Sequence, residues 1–488
     1  MNIDVLLVNP RTDDRQKPPL GLAYISAILK KEGISTRIYD PLPEDKMKER
    51  LIELIDLLSP KIIGITATTI QMPIAFELAK AAKEKDRGIV TVIGGAHVSA
   101  VPEEVAGNEY VVFASIGESE YTARELFKKI LANEDTSGVQ GIAYKKNNEV
   151  IFTEKRQLIQ NLDEIPYPAR ELLDEKWYFK RGSLIRGLWL KTAIMITSRG
   201  CPGMCIYCAS NNTFGRKIRR RSVENVIGEI KELIKKYKID SVYFCDDTMT
   251  TDKDWMAEFC SGLMKLDKKL IWACNSRVNT LNEKMLSEMK KAGCVQIEFG
   301  CESGSQKVLN ALKKGITIKE MRDAFALTKK FGIRTMANFM IGCPEETEED
   351  LNMTLTLAKE LNADYTDFWI TTPYPGSELY RIAKEKGWLK QGGTWEHGHR
   401  LSKPIMEINF TAEELVNHRD NLYRQTFNPI LKNIVLTPSF VYDVSKFIVT
   451  HPGTTINGAK AGVKNKSLMK FGLYIEEQMR GIKKDIIL

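Results

Sequence analysis

Long apolar runs are missing from this chain of 488 residues. No stretch of about 18 uninterrupted apolar residues occurs, so a membrane-spanning helix is not expected. The opening residues, MNIDVLLVNPRTDDRQ, lack the basic segment and apolar core of a secretory leader and read as a strand, so a cytoplasmic protein is expected. No long basic tract is present to act as a nucleic-acid arm. The 71 basic and 63 acidic residues leave a net charge of +8, which permits an anionic ligand or a membrane surface and requires neither. Internal repeats and low-complexity segments are also absent. No cysteine precedes Cys201, and the nine cysteines are an odd number without framework spacing, which argues against a disulfide scaffold. What remains is an ordinary globular composition, 43% hydrophobic and 27% charged, long enough for about two to four domains.

Hydrophobic patterning divides the chain. Over 1–135, apolar strands at 3–8, 36–39, 62–66, 90–93 and 110–114 alternate with helical patterns at 20–31, 45–58, 73–85, 102–106 and 118–131. That alternation predicts an α/β, Rossmann-like, doubly wound parallel sheet with ligands at the carboxyl ends of its strands. Residues 136–190 read as a hairpin turning at Asn147-Asn148, then a linker rich in proline and turn residues. A second series over 191–390 has strands at 193–198, 241–245, 270–275, 295–299, 334–340 and 365–371, each followed by a helical pattern. Six such units predict a partial (β/α)6 barrel, with chemistry at the strand ends. Ser222 is a good N-cap for the first barrel helix, whose Val223, Val226, Ile227, Ile230 and Ile234 make one stripe. The alternation stops near 390, and 391–488 reads as a mainly helical region that shapes a substrate pocket; His397 and His399 lie in a Gly-rich loop there.

Three of the nine cysteines crowd into eight residues, Cys201-Pro-Gly-Met-Cys205-Ile-Tyr207-Cys208, directly after the first barrel strand. Thiolates on a short loop can converge on one metal centre. The readings are a four-iron cluster with one iron left open, a zinc site completed by a distant ligand such as Cys245 or Cys301, or packed thiols. The basic run Arg216-Lys-Ile-Arg219-Arg220-Arg221 reads as a solvated helix entry, with steering of an anionic substrate or a reductant as the sharper alternative.

The C-x3-C-x2-C spacing, with an aromatic before the last cysteine, resembles the radical S-adenosylmethionine (SAM) superfamily. Asp246-Asp247 at the second strand end, Asn275-Ser-Arg277 at the third, Glu298 through Glu302-Ser303-Gly304 at the fourth and Gly342-Cys-Pro-Glu-Glu-Thr at the fifth follow in that family's order. The resemblance implies that Cys201, Cys205 and Cys208 hold a 4Fe–4S cluster whose open iron binds SAM. It further implies that Tyr207, Asp246, Asp247, Arg277, Glu298, Glu302, Ser303 and Gly342 surround SAM. Carboxylates suit ribose hydroxyls and ammonium groups.

In the first domain the segments PPLGLAYISAIL, TATT, GGAHVSAVPEE and GESEYTARELF resemble the cobalamin-binding domain fused to many radical SAM enzymes. This likeness implies cobalamin at Gly21, Thr66, Thr68, Gly94, Gly95, His97, Gly117 and Glu118. The D-x-H-x-x-G motif of the wider cobalamin family is absent; the first loop carries Asp13 and Asp14 and no His. The implied activity is cobalamin-dependent radical catalysis at an unactivated carbon, foremost C-methylation of a lipid or other secondary metabolite. Cyclisation or ring contraction is the alternative within the enzymes, and a non-catalytic corrinoid and Fe–S binding protein the alternative outside them. Implied partners are a small-molecule or lipid substrate and an electron donor such as flavodoxin or ferredoxin, with peripheral membrane association permitted and no nucleic acid.

Overall fold

The computed structural model describes residues 2–12, 17–41, 46–182, 184–390, 404–426 and Ser445. Asp13, Asp14, His397, His399 and nearly all of the tail beyond residue 426 lie outside the described residues.

The first sheet has seven strands: β1 (Val5–Val8), β2 (Thr36–Tyr39), β3 (Ile62–Thr66), β4 (Val90–Gly94), β5 (Phe113–Ser115), β6 (Ile142–Lys146) and β7 (Glu149–Phe152). Their order is β2-β1-β3-β4-β5-β6-β7. The first five are parallel, and a helical crossover returns the chain between each of them and the next. β6 and β7 pair antiparallel and extend the sheet beyond β5. Asn147 and Asn148 both take left-handed φ values, 50° and 68°, which closes that hairpin in two residues. Helices cover both faces and leave two apolar cores, one on Leu6, Ile63, Ile65 and Ile93, the other on Leu7, Leu29, Leu126 and Phe127. The order reverses between β1 and β3, so the expected ligand edge lies at their carboxyl ends.

The second sheet curls into a partial barrel. Six parallel strands, β9 (Leu190–Met195), β12 (Ser241–Phe244), β13 (Ile271–Ser276), β14 (Cys294–Glu302), β15 (Arg334–Ile341) and β16 (Tyr365–Ile370), follow one another, and the short β8 (Arg181–Gly182) pairs antiparallel outside β9. Apolar side chains such as Phe244, Trp272, Phe299, Phe339 and Phe368 fill the layer between strands and helices. Ser222 caps the first barrel helix, Val223–Tyr237, by accepting from the Asn225 amide, and Lys238 ends it at φ 54°.

Two local expectations change. The first barrel strand ends at Met195 rather than Ser198, because Asp246 draws Thr197 and Ser198 out of the sheet: it accepts from the Thr197 amide at 3.0 Å and from the two hydroxyls at 2.8 and 2.5 Å. The basic run is not a solvated helix entry. Ser198–Arg199 (β10) pairs antiparallel with Arg219–Arg220 (β11), and Arg219 and Arg221 are buried in ion pairs. Beyond 390, the helix Ala412–Thr426 packs on β16, where Tyr423 donates to Asp367. No helix among the described residues is long and apolar enough to cross a membrane.

Candidate functional site

Between β10 and β11 the chain makes one excursion, residues 200–218, and all three crowded cysteines ride on it. Gly200 permits its start: at φ +92°, a Cβ there would stand 2.3 Å from the Lys217 carbonyl. Inside the loop the Cys208 amide donates to the Cys205 carbonyl at 3.2 Å, and the Ile206 side chain anchors in a cluster with Val308, Leu312 and Leu379. A Cβ on Gly203 would lie 3.4 Å from Cys201 Sγ and 3.7 Å from Cys205 Sγ, so those two sulfurs flank one glycine. Among the described residues no three His, Cys, Asp or Glu side chains are gathered closely enough to hold a single metal ion. Cys301 is fully buried in the core outside the barrel strands, and Cys245 packs inside the barrel with Ile194 and Tyr243.

The strand ends ring this loop. Arg277, after β13, points one amino group at Cys205 Sγ, 4.0 Å away. Glu302, at the end of β14, stands at φ 63°, a left-handed conformation uncommon for a side chain of its size. There its carboxylate accepts from the Tyr207 hydroxyl at 2.9 Å and from Lys314 at 2.6 Å. Burial and that carboxylate raise the Tyr207 hydroxyl well above its ordinary pKa, so it remains a donor. The paired acids after β12 divide their roles. Asp246 is buried in the bonds to Thr197 and Ser198, whereas Asp247 is exposed and accepts from Ser210 at 2.8 Å. Glu298 projects inward from the middle of β14, held by Gln296 at 3.0 Å; burial raises its carboxyl. Gly342, at φ +76°, donates its amide to Glu346. Ser303 is turned away from this ring, with its hydroxyl 3.3 Å from that of Thr354.

A second site lies at the carboxyl edge of the first sheet. A cavity of about 250 Å³ opens there, and Leu7, Leu22, Gly64, Val92, Leu126 and Phe127 are among the residues that line it. Gly21, Thr66, Gly94, Gly95, Gly117 and Glu118 also line it. A Cβ on Gly21 or Gly117 would meet nothing within 4 Å, so both glycines leave open space. Gly95 has a different reason: at φ +114°, a Cβ would stand 2.6 Å from the Ala67 carbonyl. Two expected residues are outside the lining. Thr68 instead caps the turn at 69–71, donating to Gln71 at 2.8 Å. His97 is buried behind that turn with Nδ1 3.1 Å from Thr69, and burial lowers its pKa, which keeps it neutral. The far wall of the cavity comes from the barrel: Ile196, Arg199, Thr213 and Phe214.

Several residues of this junction take roles that the sequence did not reveal, Arg219 among them although the basic run that holds it was noted. Arg199, Arg219 and Glu120 form buried ion pairs with their partners across it, and Lys314 reaches Glu302 from beyond the helix Gln306–Ala311. The placement of Arg199 two residues before Cys201 was the available signal. Lys314 carried none, because a lysine in a loop is ordinarily solvated.

Residues 195–358 match the Radical SAM superfamily model, and residues 14–127 match the B12 binding domain model. The chain is 36% identical over 420 residues to an uncharacterized methyltransferase of Pyrococcus horikoshii, covering 84% of this chain and 89% of that one. It is 31% identical over 377 residues to the anaerobic magnesium-protoporphyrin IX monomethyl ester cyclase of Rubrivivax gelatinosus, covering 76% and 67%. Its fold is shared by solved structures that include the following two. The cobalamin-dependent S-adenosylmethionine radical enzyme OxsB with aqua-cobalamin and S-adenosylmethionine bound superposes with a TM-score of 0.71 at 18% identity, over 100% of this chain and 82% of that one. The radical S-adenosylmethionine methyltransferase TsrM of Kitasatospora setae, with cobalamin and a 4Fe–4S cluster bound, gives 0.67 at 18% identity, over 87% and 89%. The two matched models fall on the two sheets in sequence order, and likeness to the first relative runs through most of both chains: this chain belongs to the radical SAM superfamily, among its members with an N-terminal B12 binding domain.

Proposed function

We propose that the chain is a cobalamin-dependent radical SAM enzyme that C-methylates an unactivated carbon of a lipid or other secondary metabolite. The observation that carries this reading is the shared cavity: its floor is the carboxyl edge of the first sheet, and its far wall flanks the cysteine loop. A ligand of the first domain therefore faces that loop, as transfer between two cofactors at one substrate requires.

The residues present fit these groups. The apolar slot between Leu22 and Phe127 suits the flat heterocyclic arm of cobalamin, and the glycine rim at 94, 95 and 117 lets backbone approach the macrocycle. Cys201, Cys205 and Cys208 supply three free thiols on one short loop, the donor type that holds iron–sulfur clusters. When bound, the cluster with SAM supplies a hydrogen-abstracting radical, and cobalamin supplies the methyl group. The chain's own residues bind and orient. Tyr207, Glu302 and Lys314 form a fixed polar corner beside the loop, and Asp247 and Arg277 present opposite charges near it. Inside the barrel Tyr243 donates to Asn275 at 2.8 Å, Gln296 holds Glu298, and Arg186 stands 5.0 Å over the Tyr365 ring. That lining favours a substrate with hydrogen-bonding groups as well as a hydrocarbon part.

A second reading is radical cyclisation or ring contraction without net methyl transfer, favoured by the likeness to the protoporphyrin ester cyclase. The test is an anaerobic incubation of reconstituted protein with SAM, dithionite and hydroxocobalamin, analysed by mass spectrometry. Methyl transfer predicts 5′-deoxyadenosine, S-adenosylhomocysteine and methylcobalamin together. With 5′-deoxyadenosine alone the second reading takes over, and SAM binding without any 5′-deoxyadenosine favours a non-catalytic binding protein.

A further inference from the structure

The cysteine loop leaves and re-enters the barrel through a narrow neck, β10 paired with β11. Each strand of the neck contributes one buried arginine, and both arginines are bound by one side chain of the other domain. Glu118 accepts from Arg199 at 2.9 Å through Oε1 and from Arg219 at 2.7 Å through Oε2. Its Oε2 also accepts from the Ile159 amide at 2.8 Å. The second amino group of Arg199 is bound to Glu120, in the first turn of the helix Ser119–Ala132. Arg219 donates further to the Ile159 and Phe214 carbonyls at 2.6 and 2.8 Å. Two guanidinium groups thus meet two carboxylates, and all four residues are less than a tenth exposed. Removing one member would strand a buried charge, so the set is held together far more tightly than a surface ion pair.

The same residues touch the cavity. Glu118, Glu120 and Arg199 line it, and the Arg199 guanidinium lies 5.7 Å from the Tyr24 ring centroid and 5.5 Å from that of Phe214, both lining residues. Glu118 therefore does more than face a cofactor: it spans the gap between the first domain and both ends of the loop that carries the cysteines.

We propose that Glu118, Arg199 and Arg219 form an interdomain clamp that fixes the neck of the cysteine loop, so that a ligand in the cavity of the first sheet alters the surroundings of the cluster. Arg199 and Arg219 are then positioning residues. The ligand half of this proposal rests on the cofactor reading given above; the clamp itself does not.

The experiment measures amide hydrogen exchange over residues 200–218 in the full chain, reconstituted with iron and sulfide, with and without hydroxocobalamin. Arg199→Lys keeps the charge but cannot reach both carboxylates as a planar fork does. It is expected to raise exchange over 200–218 by roughly tenfold while the helix Glu348–Leu361 exchanges as before. Hydroxocobalamin slows exchange of the loop in the native chain and shifts the electron paramagnetic signal of its reduced cluster; in Arg199→Lys both responses are lost. Glu120→Gln, which leaves the Glu118 bridge in place, gives a smaller rise and serves if Arg199→Lys does not fold. Native exchange over 200–218 in both variants overturns the clamp. A native chain that does not respond to hydroxocobalamin overturns the cavity's cofactor reading and the ligand half of the proposal, while the loop's exchange rate in the variants still decides the clamp.

Discussion

Under the proposed function Cys205 is the central one of three cluster cysteines, and its sulfur lies beside both Gly203 and the Arg277 guanidinium. Cys205→Ala should reduce bound iron on reconstitution and abolish 5′-deoxyadenosine formation; iron content and product assay at native levels would refute the cluster assignment. Glu346 gives a prediction independent of any cofactor. Its carboxyl is buried, takes the Gly342 and Cys343 amides on one oxygen, has no hydrogen-bond partner on the other, and is pushed by burial from 4.5 up to about 8. A pKa raised on folding gives stability that is complete below about pH 4.5 and is lost as pH rises through about 8. Glu346→Gln should remove this dependence and be more stable than the native chain above pH 8, by a few kcal/mol at most. Parallel pH–stability curves for the two chains in urea unfolding would show that the folded carboxyl ionises as it does in the unfolded chain, and so that burial does not raise it. At this scale the sequence reveals residue type better than role. The cysteines were legible because spacing alone defines them. Asp246, Ser303, Thr68 and His97 were legible as motif members, but which way each side chain turns depends on partners such as Thr197 and Thr354, distant in sequence.

Elements were legible wherever periodicity runs long enough to average over single residues. The helix Leu20–Lys31 and the strands β2 and β3 coincide with their expected bounds. The pattern failed at β10 and β11, two residues each, where no periodicity exists to detect and arginines normally signal solvent. It also gave no reason to join the 142–152 hairpin to the first sheet, since an antiparallel pair reads alike in a linker or at a sheet edge. The first helix carries a prediction of its own. Gly21 faces the cavity from its first turn with free space beyond, and glycine is a poor helix former. Gly21→Leu should therefore leave the melting temperature within a few degrees of native or slightly above it. It should weaken hydroxocobalamin binding at least tenfold by filling the slot, measured by visible absorbance. Unchanged affinity would place the cofactor elsewhere.

Across the whole molecule, two α/β units meet, and the cavity at the carboxyl edge of the first sheet takes part of its wall from the second. Arg170, from the segment joining the units, adds a second buried bridge by pairing with Glu229, which Arg221 also holds. That pairing ties the joining segment to the first barrel helix, beside the neck of the cysteine loop. Under the proposed function, one ligand cavity and the loop that would hold the cluster share a wall. Crystals grown anaerobically with iron, sulfide and hydroxocobalamin, measured for anomalous scattering at the iron and cobalt edges, test it most directly. Iron is expected beside Cys201, Cys205 and Cys208, with a single cobalt at the glycine rim of the first sheet, on the side facing Arg199. Cobalt anywhere else, or zinc in place of iron at the three cysteines, would contradict it.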